Sequence, residues 1–93
     1  MELHFSGPLW YWRGPAPFHF VTVPADASAE LAEIAPLVSY GWGMVPVRVR
    51  IGATTTTTAL WPKDGGYIVP VKKALQTAEG LEIDDVVTVT LEV

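Results

Sequence analysis

The side chains of this chain best suited to recognising another molecule are a handful of cations and indoles. In "VPVRVRI" Arg48 and Arg50 alternate with Val45, Val47, Val49 and Ile51, so both guanidinium groups leave the same face of a strand. The next stretch, "GATTTTTALW", doubles back along it if Gly52-Ala53 is a two-residue turn. That register sets Ile51 opposite Thr54, Val49 opposite Thr56, Val47 opposite Thr58 and Val45 opposite Leu60. On the other face Arg50 meets Thr55 and Arg48 meets Thr57. Trp61 follows on the same outward parity, Trp42 precedes the arginine strand, and Lys72 and Lys73 stand where a second helix begins. Guanidinium pairs with carboxylate or phosphate and indole stacks on flat rings. The candidate ligand-binding set is therefore Trp42, Arg48, Arg50, Thr55, Thr57, Trp61, Lys72 and Lys73, and the expected ligand an organic anion with a flat apolar part. The plainer account of the same residues is the wet face of an outer hairpin.

No comparable set points to catalysis. His4 and His19 fall on strands that could be neighbours, where two imidazoles would serve a metal or acid–base chemistry, but no third ligand is evident. Partly exposed strand histidines are the expectation. Glu30 and Glu33 share a helix face, Asp84-Asp85 belongs to a turn, and Ser6, Ser28 and Ser39 read as turn or cap residues. Without cysteine there is no thiol nucleophile, thiolate site or disulfide, and no phosphate-cradling or nucleophile-elbow motif occurs. Accordingly no catalytic residue, metal or cofactor is expected, and an enzyme working from a barrel-end pocket is the alternative reading.

Composition narrows the partners. Six basic residues face ten acidic ones, a balance that disfavours nucleic acid, since phosphate neutralisation needs clustered Lys and Arg. Duplex DNA is expected to bind very weakly. The chain is 49% apolar with a net charge of -4, far from the composition of disorder, and long enough for one core over residues 1–93. No apolar run approaches the ~20 residues of a membrane span and no leader pattern opens the chain. A soluble, unprocessed, cytoplasmic domain that does not engage membranes is the expectation.

Positioning falls mainly to strands. Besides the hairpin, "FHFVTV" (18–23) and "DDVVTVTLEV" (84–93) are β-branched or aromatic runs, and "LHF" with "LWYW" reads as one strand interrupted at Gly7-Pro8. The threonine run is a strand because none of the Gly, Ser or Pro of a flexible tract accompanies it; its inner face, including Thr56, should be largely buried. Helices are predicted from Asp26 or Ser28 to Pro36, and over "VKKALQTAEGL" with Val71, Ala74, Leu75 and Ala78 inward and Gly80 as terminator. The order is ββαβ twice. Six strands and two short helices predict a mainly β fold, a small closed or nearly closed six-stranded barrel. Pro24, Pro46 and Pro70 should mark strand ends or edges. Trp10, Tyr11 and Trp12 cannot all face one core, and the favoured account is that they cap the barrel ends.

The series "LWYWRGPAPFHFVTVPADASAEL", "GWGMVPVRVRIGATTTTTALWP" and "GGYIVPVKKALQTAEGLEIDDVVTVTLEV" resembles the small bacterial and archaeal family catalogued as domain of unknown function 1905. The resemblance covers almost the whole chain and implies a small β-barrel with no established activity or functional residues. Family members often carry an aromatic where this strand is all threonine, and a Gly-Asp turn where Asp84-Asp85 stands. The last segment also resembles the closing hairpin of AbrB-like DNA-binding barrels, whose clustered basic residues this chain lacks. The function expected is a non-enzymatic module binding a small ligand or a protein partner.

Overall fold

The computed structural model describes residues 1–14 and 18–93. Its strands are β1 (Glu2–Pro8), β2 (Trp10–Trp12), β3 (Phe18–Thr22), β4 (Val45–Ile51), β5 (Thr54–Lys63), β6 (Gly66–Val71) and β7 (Val86–Glu92). Helix α1 (Ala25–Val38) links β3 to β4, and α2 (Lys73–Glu79) links β6 to β7. All seven strands join one sheet in the order β1-β7-β4-β5-β6-β3-β2, curled into an open half-barrel. The expected closed or nearly closed six-stranded barrel is thus corrected to a seven-stranded open half-barrel. The first strand breaks at Leu9, one residue after Pro8. Leu9 bonds by its backbone to Asp84 and Asp85, whereas Trp10 already pairs with Phe20. One chain segment therefore supplies both sheet edges, and the edges share no ladder.

The arginine–threonine hairpin has the predicted register at every pair from Val45↔Leu60 to Ile51↔Thr54. Alternation is strict on β4, with Val45, Val47, Val49 and Ile51 buried and Pro46, Arg48 and Arg50 exposed. Gly52 turns the chain at φ 60°, where a side chain would be strained, and a Cβ there would overlap the Glu79 carboxylate. Thr56 is half-buried and not the core residue expected. The short α2 covers this face incompletely, and Glu79 accepts a hydrogen bond from Thr54 Oγ1 at 2.5 Å.

Prolines sit where a strand has one neighbour. β4 pairs with β7 only over residues 48–51, so Pro46 meets β5 alone. β6 pairs with β5 only up to Ile68, so Pro70 meets β3 alone, and Pro62 likewise lies beyond the β4 ladder. Each missing N–H costs no ladder bond on a second side.

Both helices differ from their sequence outlines. α1 begins at Ala25, before Asp26 and Ser28, with Pro24 as an N-cap that offers no side-chain bond. It runs through Pro36 to Val38, because a proline in the last turns forfeits one bond, to the carbonyl of exposed Ala32, where water can replace it. α2 buries Leu75 and Gln76 while Ala74 and Ala78 are exposed. Gly80 closes it at φ 63° with the Leu81 N–H bonded to Gln76 O at 2.9 Å.

The sheet carries an internal two-fold relation written in its registers. Phe20 pairs with Pro70 while Thr22 pairs with Ile68, and Val49 pairs with Leu91 while Ile51 pairs with Val89. These pairs exchange if Phe20 corresponds to Ile68, Thr22 to Pro70, Val49 to Val89 and Ile51 to Leu91. The hairpins agree: Trp10↔Phe20 in one half answers Trp61↔Ile68 in the other. Leu9 and Leu60 then occupy equivalent bends, and both are fully buried. The two buried polar side chains among the described residues also correspond. Ser28 Oγ donates to Val23 O at 3.3 Å and Gln76 Nε2 donates to Val71 O at 2.8 Å.

The main core gathers the inward valines and leucines of both halves, with Leu31 from α1 and Leu75 from α2 closing over it. Phe20 is fully buried yet lies outside that cluster. Alternating with Val21, it faces the opposite side of the sheet and packs on Trp10 and Trp61, with ring centroids 5.1 Å away in each case. The Trp10–Trp12 segment thus builds a second, outer aromatic cluster instead of capping the barrel ends.

Candidate functional site

Around the β6–α2 junction the two clusters meet in a groove. A cavity of about 510 Å³ opens between the β2–β3 hairpin, the bend of β5 and the start of α2. Tyr11 and His19 sit directly opposite each other on β2 and β3, with rings 4.9 Å apart. Phe18 and Trp61 form the other aromatic wall, edge to face at 5.3 Å. Phe18 and Tyr11 are exposed at 41% and 38%, so the lip of the groove presents aromatic side chains to solvent. Val71, Thr58 and Gln76 line it further in, the last held by its bond to Val71 O.

Cations border the same groove. Lys72 reaches back across β5 and donates from Nζ to Thr57 O at 2.6 Å, which fixes its stem and leaves part of its hydrogen-bonding capacity directed outward. Lys73 is exposed and enters no ion pair among the described residues. Aromatic walls and an unpaired ammonium make a place where a flat ring can stack while its negative group finds a counter-charge.

Residues singled out in the sequence divide among three places. Trp61, Lys72 and Lys73 meet in the groove, and Thr57 touches it through its carbonyl bond to Lys72. Arg48, Arg50 and Thr55 line a separate shallow face with Glu2, Thr90 and Glu92. There Arg48 pairs with Glu92 at 3.3 Å, both side chains well exposed, and two carboxylates offset the two guanidinium groups. Trp42 stands apart at the tip of the loop between α1 and β4, 96% exposed, between Gly41 at φ 57° and Gly43 at φ 86°. β4 meets β7 on the side away from β5, so Arg48 and Arg50 have Glu92 and Thr90 as cross-strand neighbours as well as Thr57 and Thr55. Local hairpin register could not reveal that.

His4 and His19 do not face each other. His4 accompanies Glu2 at 2.9 Å and Thr90 at 3.1 Å on β1 and β7, whereas His19 belongs to the groove. Tyr11, Phe18, His19, Thr58 and Gln76 were absent from the expected set. The crowded aromatics around Trp10–Trp12 were the available signal, but only the β3–β6 pairing sets them beside Lys72 and Lys73.

A family model described as "Domain of unknown function (DUF1905)" matches residues 5–91. The chain belongs to this family. The match spans every strand of the sheet at least in part, both helices and every groove residue, so the fold and groove described above are those of a DUF1905 domain. No curated protein matches the chain significantly. Among the described residues, no helix is long and apolar enough to cross a membrane.

Proposed function

We propose that this domain is a non-enzymatic binding module whose groove takes a small organic anion with a flat apolar part. The observation that carries the reading is the convergence of the Tyr11–His19 and Phe18–Trp61 pairs with the unpaired Lys73 on one cavity of about 510 Å³. That volume suits a one- or two-ring compound. The ring stacks against indole, phenyl or phenol, and the carboxylate meets Lys73 at the rim, with Lys72 adding a second positive charge. The Arg48, Arg50 and Thr55 face contributes no part of this site, because Glu2 and Glu92 already balance its cations.

The test is a titration with 1-naphthoate followed by amide and indole NMR shifts. Binding in the groove moves the Trp61 indole N–H together with the His19 and Lys73 amides. Lys73→Ala weakens the affinity about three- to fivefold, the size of an exposed charge pair. Shifts confined to Arg48, Arg50 and Thr55, or no shifts at millimolar naphthoate, would remove the groove from consideration.

A protein partner is the second reading, favoured by Leu37, Tyr40 and Trp42, which expose 86%, 55% and 96% of their surface at one end of α1.

A further inference from the structure

The internal two-fold gives the groove a counterpart, and we infer that this second cavity is a separate site for an uncharged flat ring. It measures about 520 Å³ and opens between the β2 bend, the β6 hairpin and the first turns of α1. Its lining matches the first groove in part: Trp10 stands for Trp61, Tyr67 for His19, Val23 for Val71 and Ser28 for Gln76, whereas Gly66 stands where the first groove has Phe18. The correspondence follows from the exchanged registers and from the matched Ser28 and Gln76 hydrogen bonds.

The chemistry differs where it decides the ligand. Pro24 and Ala25 occupy the positions of Lys72 and Lys73, so the two ammonium groups of the first groove have no equivalents. The one lysine at the rim, Lys63, is paired with Asp64 at 2.9 Å. An anion entering here would lose hydration without gaining an unpaired counter-charge, and a cation would meet Lys63 beside the only carboxylate of the lining. A neutral ring has neither difficulty. Trp10 offers an indole already fixed by its Nε1 bond to Thr22 Oγ1 at 3.0 Å, and Tyr67 contributes a half-buried phenol. Rigid aromatics of this kind hold a ring at little entropic cost.

The two grooves therefore sort ligands by charge, and a matched pair of probes tests this. Benzamide, uncharged, is expected to shift the Trp10 indole N–H and the Gly65 and Gly66 amides at millimolar concentration. Ala29 and Ala32 line this cavity from exposed positions of α1, so Ala29→Phe fills it without disturbing the core, and the benzamide shifts should fall at least fivefold in that variant. Retention of folding is read from the amide spectrum of the strands, including buried Val21, which should stay dispersed as in the parent chain. Benzamide shifts that are absent, that gather at Trp61 and His19, or that persist unchanged in Ala29→Phe would overturn the inference. Benzoate is titrated in parallel, and benzoate shifts at Trp10, Gly65 and Gly66 as large as those of benzamide would also overturn the inference. Absence of benzoate shifts at Trp61 and His19 would count against the anion reading and leave the neutral site standing on the benzamide result.

Discussion

The two halves of the molecule share a backbone plan and part in their chemistry. β1 with β2, β3, α1 and β4 correspond to β5, β6, α2 and β7, with Leu9 answering Leu60 and Trp10 answering Trp61 at the bends. The half containing α2 places two lysines at its helix start, whereas the half containing α1 has Pro24 and Ala25 there. Helix length differs as well, 14 residues against seven. Several buried positions match in kind, Val21 with Val69, Val23 with Val71 and Leu9 with Leu60, whereas positions bordering the grooves differ. Packing constrains a side chain from all directions, and the surface of a groove constrains it from one.

The comparison breaks most visibly at the bends. Leu9→Ala and Leu60→Ala should each destabilise the domain by about 3 kcal/mol, as large-to-small changes at fully buried sites do. Urea unfolding checks this, and a difference between the two larger than about 1.5 kcal/mol, half of the expected cost, would deny their equivalence. Next in size are the buried polar pair. Gln76→Ala should cost about 2 kcal/mol and Ser28→Ala about 1 kcal/mol, since the former removes a shorter hydrogen bond and more packed atoms. The order of the two midpoints in one denaturation series is the readout.

A third prediction uses the ends of the chain. In the two-fold relation the Gly52-Ala53 turn answers the meeting of Met1 and Val93, where Val93 N–H bonds to Met1 O at 2.8 Å. A circular permutant that joins Val93 to Met1 through a short glycine linker and opens between Gly52 and Ala53 should fold to the same sheet, about 1 kcal/mol less stable. Loss of the native amide spectrum would show that the turn, with its Glu79–Thr54 contact, is indispensable. The smallest effect belongs to the outer face. Arg48→Ala removes an exposed pair with Glu92 and should change stability by less than about 0.5 kcal/mol, an outcome that thermal unfolding resolves from zero only at low salt.

Much of this was legible locally. The β4–β5 hairpin could be written pair by pair because side-chain direction alternates with period two and a two-residue turn leaves one register. The end of α2 at Gly80 followed from the left-handed geometry that glycine accepts. The start of α1 was misplaced because Asp26 and Ser28 look like caps, yet Asp26 Oδ1 accepts from the adjacent Ala27 N–H and Ser28 turns inward to Val23 O. Those roles depend on what packs against the helix. The groove was half legible: Trp61, Lys72 and Lys73 were named, but Arg48 and Arg50 were joined to them by strand parity alone, which ignores the bend of β5 after Leu60.

By itself the sequence determined a mainly β domain of the DUF1905 family, the hairpin register and the identity of the inward valines, since each rests on spacing along a few residues or on a series of motifs. Tertiary structure alone decided that the two parts of the interrupted first strand would serve opposite sheet edges, that Tyr11 and His19 would line one groove with Lys72 and Lys73, and that a second cavity would match it in part. These depend on pairings between segments some fifty residues apart, such as β3 with β6, whose free energy comes from the shared core and not from any local preference.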